Sequence, residues 1–207
     1  MVSTKDTQAQ IIDAAKKVFI RKGFAGARMQ LIADEAGINK ALLHYYFRSK
    51  DRLFDKVFEE AFEEIFNTIS GSIKTATEFE GFLEEFVFSY TEVLKKKPYL
   101  PQFVLHELNR NPDMMIGLLK KREIDKDKLF NLIRESVEQG VIRPCQPVHL
   151  ITNVLSLCIF PFVARPIITG FMMDGDENAF WNYIDERPGQ ILQFVKRSVF
   201  SETRKTS

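Results

Sequence analysis

The stretch Met29–Lys50, MQLIADEAGINKALLHYYFRSK, constrains this chain more than any other. It reads as two short helices around a tight turn. The first is Met29–Ala36. Gly37 ends it, because a chain leaving a helix takes positive φ there most cheaply at glycine. Asn39 is then an N-cap, and Lys40–Tyr46 forms the second helix. Two helices joined by a Gly-containing turn of roughly three to four residues make a helix-turn-helix. Ile32, Ala36, Ile38, Leu43 and Tyr46 are the inward-facing set, and the small Ala33 lets the helices cross closely. Leu42, His44 and Tyr45 fall on the outer face of the second helix, with Lys40 and Ala41 at its N-terminal end. A recognition helix presents side chains to the major groove of DNA in this way.

Charge supports a polyanion partner at one end of the chain. The net charge of +1 is uninformative, but its distribution is not. Residues 1–50 carry nine Lys and Arg against four Asp and Glu, a surplus of five. The remaining 157 residues carry 20 against 24, a deficit of four. A basic head on an acidic body suits nucleic acid at the head. By physical role, Asn39, Tyr45 and Lys50 are expected on phosphates, where contacts fix register. Lys40 reaches phosphate or guanine edges, and Ala41 and Leu42 meet thymine methyl groups. His44 donates to a base or a phosphate. Tyr46 divides between core and phosphate, and Arg28 and Gln30 sit at the start of the first helix, near phosphate, with a base contact as the alternative. The competing interpretation is the polar surface of an ordinary helical hairpin.

These residues resemble the TetR family of bacterial transcription regulators. The resemblance is carried by Ile32-Ala33, Ala36-Gly37-Ile38, Lys40, Leu43, Tyr45-Tyr46-Phe47, Ser49-Lys50 and Leu53-Phe54. Upstream it includes Ile11-Ile12-Asp13-Ala14-Ala15, Phe19 and Lys22-Gly23-Phe24, so it covers roughly residues 8–60. One departure stands out. The family usually enters the first helix of the motif through Thr or Ser, whereas this chain has Ala27-Arg28, so the usual cap is missing and Arg28 is expected near phosphate. The resemblance implies a DNA-binding unit over residues 1–50 and a helical ligand-binding and dimerisation body over 51–207.

The rest of the chain reads as all-α, with about nine helices and no strand pattern. A helix from Thr7, with Gln10 completing a capping box, carries Ile11, Ala14, Ala15, Val18 and Phe19 as an apolar stripe and ends at Gly23. Ser49 caps a long helix whose stripe runs from Leu53 to Ile69, with Gly71 at its frayed end. Thr77 and Glu80 open another, stopped by Pro98. Then come Pro101–Arg110, a single helix Met114–Gln139, an apolar helix from Pro147, a short one over Phe180–Asp185, and Pro188–Phe200. The tail from Glu202 is expected to be disordered. With 207 residues the chain holds one large domain or two modest ones. Val148–Met173 is the most apolar run, but Pro161, Pro166 and Arg165 interrupt it, which favours a buried helix or subunit interface over a membrane span. Met1–Gln10 is polar and gives no secretory signal, so the expected location is the cytoplasm with no membrane partner.

The resemblance also implies a small-molecule pocket in the body. Nineteen Phe favour large apolar interiors. Candidate lining residues are Phe62, Phe66, Phe86, Tyr90, Phe103, His106, Met114, Met115, Leu118 and Phe162, with close packing as the alternative for each. Such a wall suits a hydrophobic or aromatic effector. A homodimer is expected because one recognition helix reads only a few base pairs and two-fold symmetry doubles the readout. Family precedent places the interface on the last two long helices, at Leu150, Val154, Cys158, Ile191, Leu192, Val195 and Val199. Catalysis and cofactors find no support. His44, His106 and His149 lack metal-ligand spacing, no Gly-rich phosphate loop occurs, and no Glu-x-x-His pair suggests a di-iron bundle. Cys145 and Cys158 have no redox spacing. The expected function is a ligand-responsive regulator, more often a repressor than an activator in this family. The rival from another class is a helical small-molecule carrier without DNA activity.

Overall fold

A computed structural model describes residues 4–122 and 124–201. Among them helices are joined by turns without a β-sheet, apart from an isolated antiparallel bridge between Ile142 and Phe200. The chain forms two compact units, Met1–Glu63 and Glu64–Ser207.

The first unit holds α1 (Thr4–Gly26), α2 (Met29–Glu35), α3 (Lys40–Tyr46) and the first half of α4 (Lys50–Thr75). Ile11, Ala15, Val18 and Phe19 of α1 are buried with Ile32, Ala33 and Leu43. Phe24, just past the kink in α1, closes this core: its ring lies 6.0 Å from Phe19 and 5.1 Å from Phe54, so three rings from two helices interlock. Gly23 breaks the helical run at φ 65°. The helix extends upstream of Thr7, the expected start. Gln10, the expected capping partner of Thr7, instead donates its Nε2 to the Ala36 carbonyl at 2.7 Å, tying α1 to the helix-turn-helix.

The second unit is built around α5 (Phe79–Lys96), which buries Phe79, Phe82, Leu83, Phe86, Val87 and Tyr90 along one face. Beside it in sequence lie α6 (Leu100–Arg110), α7 (Pro112–Lys121), α8 (Lys126–Glu138) and α9 (Pro147–Val163). After these come a single turn, α10 (Arg165–Ile167), a π-helical turn Ile168–Met172, and α11 (Glu177–Val199). Helices α8, α9 and α11 pack on α5. Among the described residues three ion pairs bind α5 to α11: Lys196 Nζ to Glu80 at 2.6 Å and to Glu84 at 2.5 Å, and Lys95 Nζ to Asp185 at 2.7 Å.

Eleven α-helices replace the expected nine among the described residues, for local reasons. The expected Met114–Gln139 helix is broken, because Asp125 takes the Lys128 N–H at 2.8 Å and caps a new helix inside the charged run. Phe180–Asp185 and Pro188–Phe200 are instead one helix: Pro188 is held inside α11 by Ile184 and Ile191, both buried on either side of it. Helix α4 does not fray at Gly71 but runs on to Thr75. Glycine costs a helix interior about 1 kcal/mol, less than the roughly 1.5–3 kcal/mol from burying Ile73 in the next turn. Glu78, not Thr77, occupies the N-cap position of α5, without a side-chain capping bond. The tail from Glu202 lies outside the described residues. Among the described residues no single helix is long and apolar enough to cross a membrane; α9 and the segment to Met172 reach that length and apolarity only as a pair bent by 59°.

Candidate functional site

The turn that positions α3 is fixed by backbone chemistry. Gly37 adopts φ 64°; its N–H donates to the Asp34 carbonyl at 3.1 Å, and the Ile38 N–H reaches back to Ala33 at 3.0 Å. These two bonds form a Schellman motif, which satisfies the last carbonyls of α2. Two residues on, Asn39 Oδ1 accepts the Leu42 N–H at 2.8 Å and starts α3. The N-cap of α2 is Arg28, extended and with no side-chain capping bond, as its sequence implies.

Core anchors fix which face of α3 is free. Leu43 is fully buried and Phe47 nearly so. Leucine 42 and Tyr46 are half-buried, while Lys40, Ala41, His44 and Tyr45 are exposed. Tyr45 is 79% exposed, held edge-on against the Tyr46 ring at 5.4 Å. A large aromatic hydroxyl standing in solvent on a seven-residue helix has little to contribute to folding. Arg28 and Gln30 are exposed at the start of α2, where Gln30 donates to Asp34 at 2.7 Å. Asn39 is exposed and partly spent as the cap. Nine of the ten sequence candidates are therefore exposed or half-buried along α2, the turn and α3.

Lys50 is different. Its Nζ donates to the carbonyl oxygens of Phe24 at 2.8 Å and Ala27 at 3.1 Å, and it lies 4.2 Å from the centre of the Phe24 ring. The ammonium thus caps the end of α1 and locks the α1–α2 connection. The sequence expectation for Lys50 was phosphate. Arg48, which the sequence reading passed over, is the exposed cation directly after α3. Its signal was its place two residues past the end of the recognition helix.

The second unit contains an apolar cavity of about 210 Å³. Its wall comes from the end of α4 (Ile69, Ile73), from α5 (Phe79, Phe82, Leu83, Phe86), from Leu119 and Ile124, from α8 (Leu129, Phe130) and from α9 (Leu150, Val154), with Lys126 at the edge. Of the ten expected lining residues, Phe86 is in this wall. Phe62, Phe66, Tyr90, Phe103, Met115, Leu118 and Phe162 are buried elsewhere, and His106 and Met114 are half-buried elsewhere. Ile69 and Ile73 were within reach of the sequence: they continue the α4 stripe past Phe66. The α8 contribution was hidden by reading α7 and α8 as one helix.

The expected dimer residues also lie inside. Leu150, Val154, Cys158, Ile191, Leu192 and Val195 are buried within the unit, and Val199 is half-buried. Their apolar stripes face α5 and one another, so they are spent on the fold of one chain. The same helices expose Val148, Phe160 and Phe194, and the turn beyond α9 exposes Ile167, Phe171 and Met172. Burial pushes the Cys158 thiol up to about 12, against the weaker opposing influence of the nearby Thr91 hydroxyl and the Arg187 charge. Among the described residues, no group of His, Cys, Asp or Glu could hold a metal ion.

Residues 11–57 match the family model described as bacterial regulatory proteins, tetR family. The chain belongs to the TetR family. YttP of Bacillus subtilis, a probable HTH-type transcriptional regulator, is 28% identical over 205 residues, spanning 96% of this chain and 95% of its own. The repressor NicS of Pseudomonas putida is 44% identical over 48 residues, 23% of each chain. The fold is likewise that of TetR-family structures. HlyIIR, a hemolysin II transcriptional regulator, superposes with TM-score 0.65 at 23% identity over 97% of this chain and 100% of its own. A TetR-family regulator from Marinobacter aquaeolei gives 0.67 at 16% identity over 95% and 96%. This TetR-family chain is a helix-turn-helix transcription regulator, and regulators of its family bind operator DNA as dimers.

Proposed function

We propose that the chain is a repressor whose homodimer is released from its operator by a small hydrophobic effector. One observation carries the reading: the side chains exposed on α2 and α3 are surplus to the fold, while an apolar cavity is walled by the far end of the α4 helix. Lys40, Ala41, Leu42 and His44 read base edges; Arg28, Gln30, Asn39, Tyr45, Tyr46 and Arg48 hold the backbone. Lys50 holds the reading unit in shape from behind. DNA binding is assigned to residues 1–50 and effector binding and pairing to residues 51–207, with the functional border where α4 begins. Pairing uses the exposed faces of α9 and α11, through Phe160 and Phe194. The protein works in the cytoplasm, where its operator is.

Helix α4 is the mechanical element. It carries Leu53, Phe54 and Val57 into the core of the first unit and Ile69 and Ile73 into the cavity wall of the second. At 1.5 Å per residue it is roughly 39 Å long. Half-sites lie about 34–36 Å apart for one turn of DNA, so a tilt of a few ångströms takes one recognition helix out of register. The effector must favour that misaligned state, and DNA then weakens effector binding by the same factor.

Selection of bound fragments from genomic DNA, followed by gel shift against salt, tests the reading. The expected product is a pseudo-palindromic site whose affinity falls steeply with salt. A helical carrier without DNA activity yields no salt-sensitive specific complex.

A further inference from the structure

We propose that the cavity takes the hydrocarbon tail of a medium-length carboxylate, with the carboxylate held at the mouth by Lys126. The inference rests on reading the cavity as the effector site and names the chemistry of the effector.

The wall decides the tail. Ile69, Ile73, Phe82, Leu129 and Val154 are representative of it, and among the described residues Lys126 is the one lining residue with a polar side chain. A ligand with internal oxygen or nitrogen atoms buries them there without partners, which is costly. An unbranched hydrocarbon has nothing to lose. Size sets its length. An apolar cavity of about 150 Å³ takes up benzene, so one of 210 Å³ holds, in proportion, about eight or nine carbon atoms.

The mouth decides the head. Lys126 is the first residue of α8; its stem lines the cavity and its ammonium stands in solvent. That is the geometry of a long cationic side chain laid over apolar surface. Its ion pair with Asp127 is stretched to 4.0 Å between two highly exposed side chains. The neighbouring charges are more firmly engaged. Asp125 accepts the Lys128 N–H at 2.8 Å, and Lys128 Nζ donates to the Lys74 carbonyl at 2.8 Å. Lys126 is therefore the more loosely held of these two cations. The segment Lys120–Lys128 carries five Lys and Arg against three Asp and Glu, so its balance also favours an anion. An alcohol head gains no ion pair, and an amine head is repelled.

Calorimetric titration of the full-length protein with octanoate, 1-octanol and octylamine, each below its aggregation concentration, tests the assignment. Octanoate is expected to bind about two- to five-fold tighter than octanol, the range of an exposed ion pair, and octylamine weaker than both. Lys126→Ala should bring octanoate down to the affinity of octanol and leave octanol unchanged. Val154→Phe, which fills the cavity, should weaken all three. Octanol equal to octanoate, an octanoate affinity indifferent to Lys126→Ala, or no binding of any of the three overturns the proposal. Release of DNA is scored separately on the same samples. The expected ligand pattern with an intact DNA complex upholds this assignment and overturns the effector reading.

Discussion

The ammonium of Lys50, at the start of α4, donates to the Phe24 carbonyl oxygen at 2.8 Å, across 26 residues of sequence. With Ala27 as second acceptor, one side chain closes the three-helix head from below. Lys50→Met keeps the stem and removes both bonds. A hydrogen bond to a charged group contributes about 1.5–3 kcal/mol, so thermal unfolding should show a loss of that order. Operator affinity should drop while the slope of log affinity against log salt stays at the wild-type value, because no phosphate contact has gone. A flatter slope for Lys50→Met returns Lys50 to the phosphate contacts.

Arg48 offers the contrast. It is exposed, directly beyond α3, and has no role in the core. Arg48→Ala should leave thermal stability within about 0.5 kcal/mol of wild type, as for an ordinary surface change. It should weaken binding to specific and random DNA alike and reduce the salt slope by about one. Retention of the full slope removes Arg48 from the interface.

Adjacent positions on α11 separate fold from assembly. Val195 is 3% exposed and Phe194 is 64% exposed. Val195→Asp buries an unpaired carboxylate and should unfold the second unit, with loss of the cooperative melting transition. Phe194→Asp should leave melting intact and shift the protein to monomer in sedimentation, with loss of operator binding. A Phe194→Asp dimer places the pairing surface elsewhere.

The Cys158 thiol has a pH consequence. Burial holds its folded value at about 12, whereas an unfolded chain has it near about 8.5. Its contribution to stability is therefore fully present below about 8.5 and is lost as pH rises toward 12, where unfolding releases a proton. Below pH 9 the folded thiol stays neutral, so iodoacetamide should label the half-buried Cys145 well before Cys158. Equal labelling rates in the native protein at pH 8 contradict this.

The head was legible because its instructions are local. Gly37, Asn39 and Ser49 sit within three residues of the groups they satisfy, and the Ser49 hydroxyl does accept the Arg52 N–H at 3.2 Å. Lys50 shows the limit: its partners lie more than twenty residues back, and a lysine after a recognition helix has the same local appearance whether it faces DNA or carbonyls. The body depends on partner choice throughout. Val154 and Val195 sit on apolar stripes that fit a subunit interface or a core equally well, and only the packing of α5 against α9 and α11 decides. Likewise Phe86 and Tyr90 follow one stripe, stacked at 5.1 Å, yet only Phe86 reaches the cavity.

Two walls of the cavity give opposite outcomes if α4 is the moving part. Val154 lies on α9, and Val154→Phe extends a ring into existing space. It should raise the melting temperature, bind effector poorly, and stay on its operator when effector is added. Ile69 lies on α4 and is half-buried in the same wall. Ile69→Trp adds more volume than a side chain already against its neighbours can place without displacement, and overpacking of this kind costs about 1–3 kcal/mol. Part of that strain is relieved by moving α4, the movement assigned to the effector. Ile69→Trp should therefore lose operator affinity without effector, although every residue of α2 and α3 is unchanged. Fluorescence anisotropy on one operator duplex compares the two proteins directly, and circular dichroism confirms that each is folded. Folded Ile69→Trp protein with wild-type affinity means that α4 does not carry the signal.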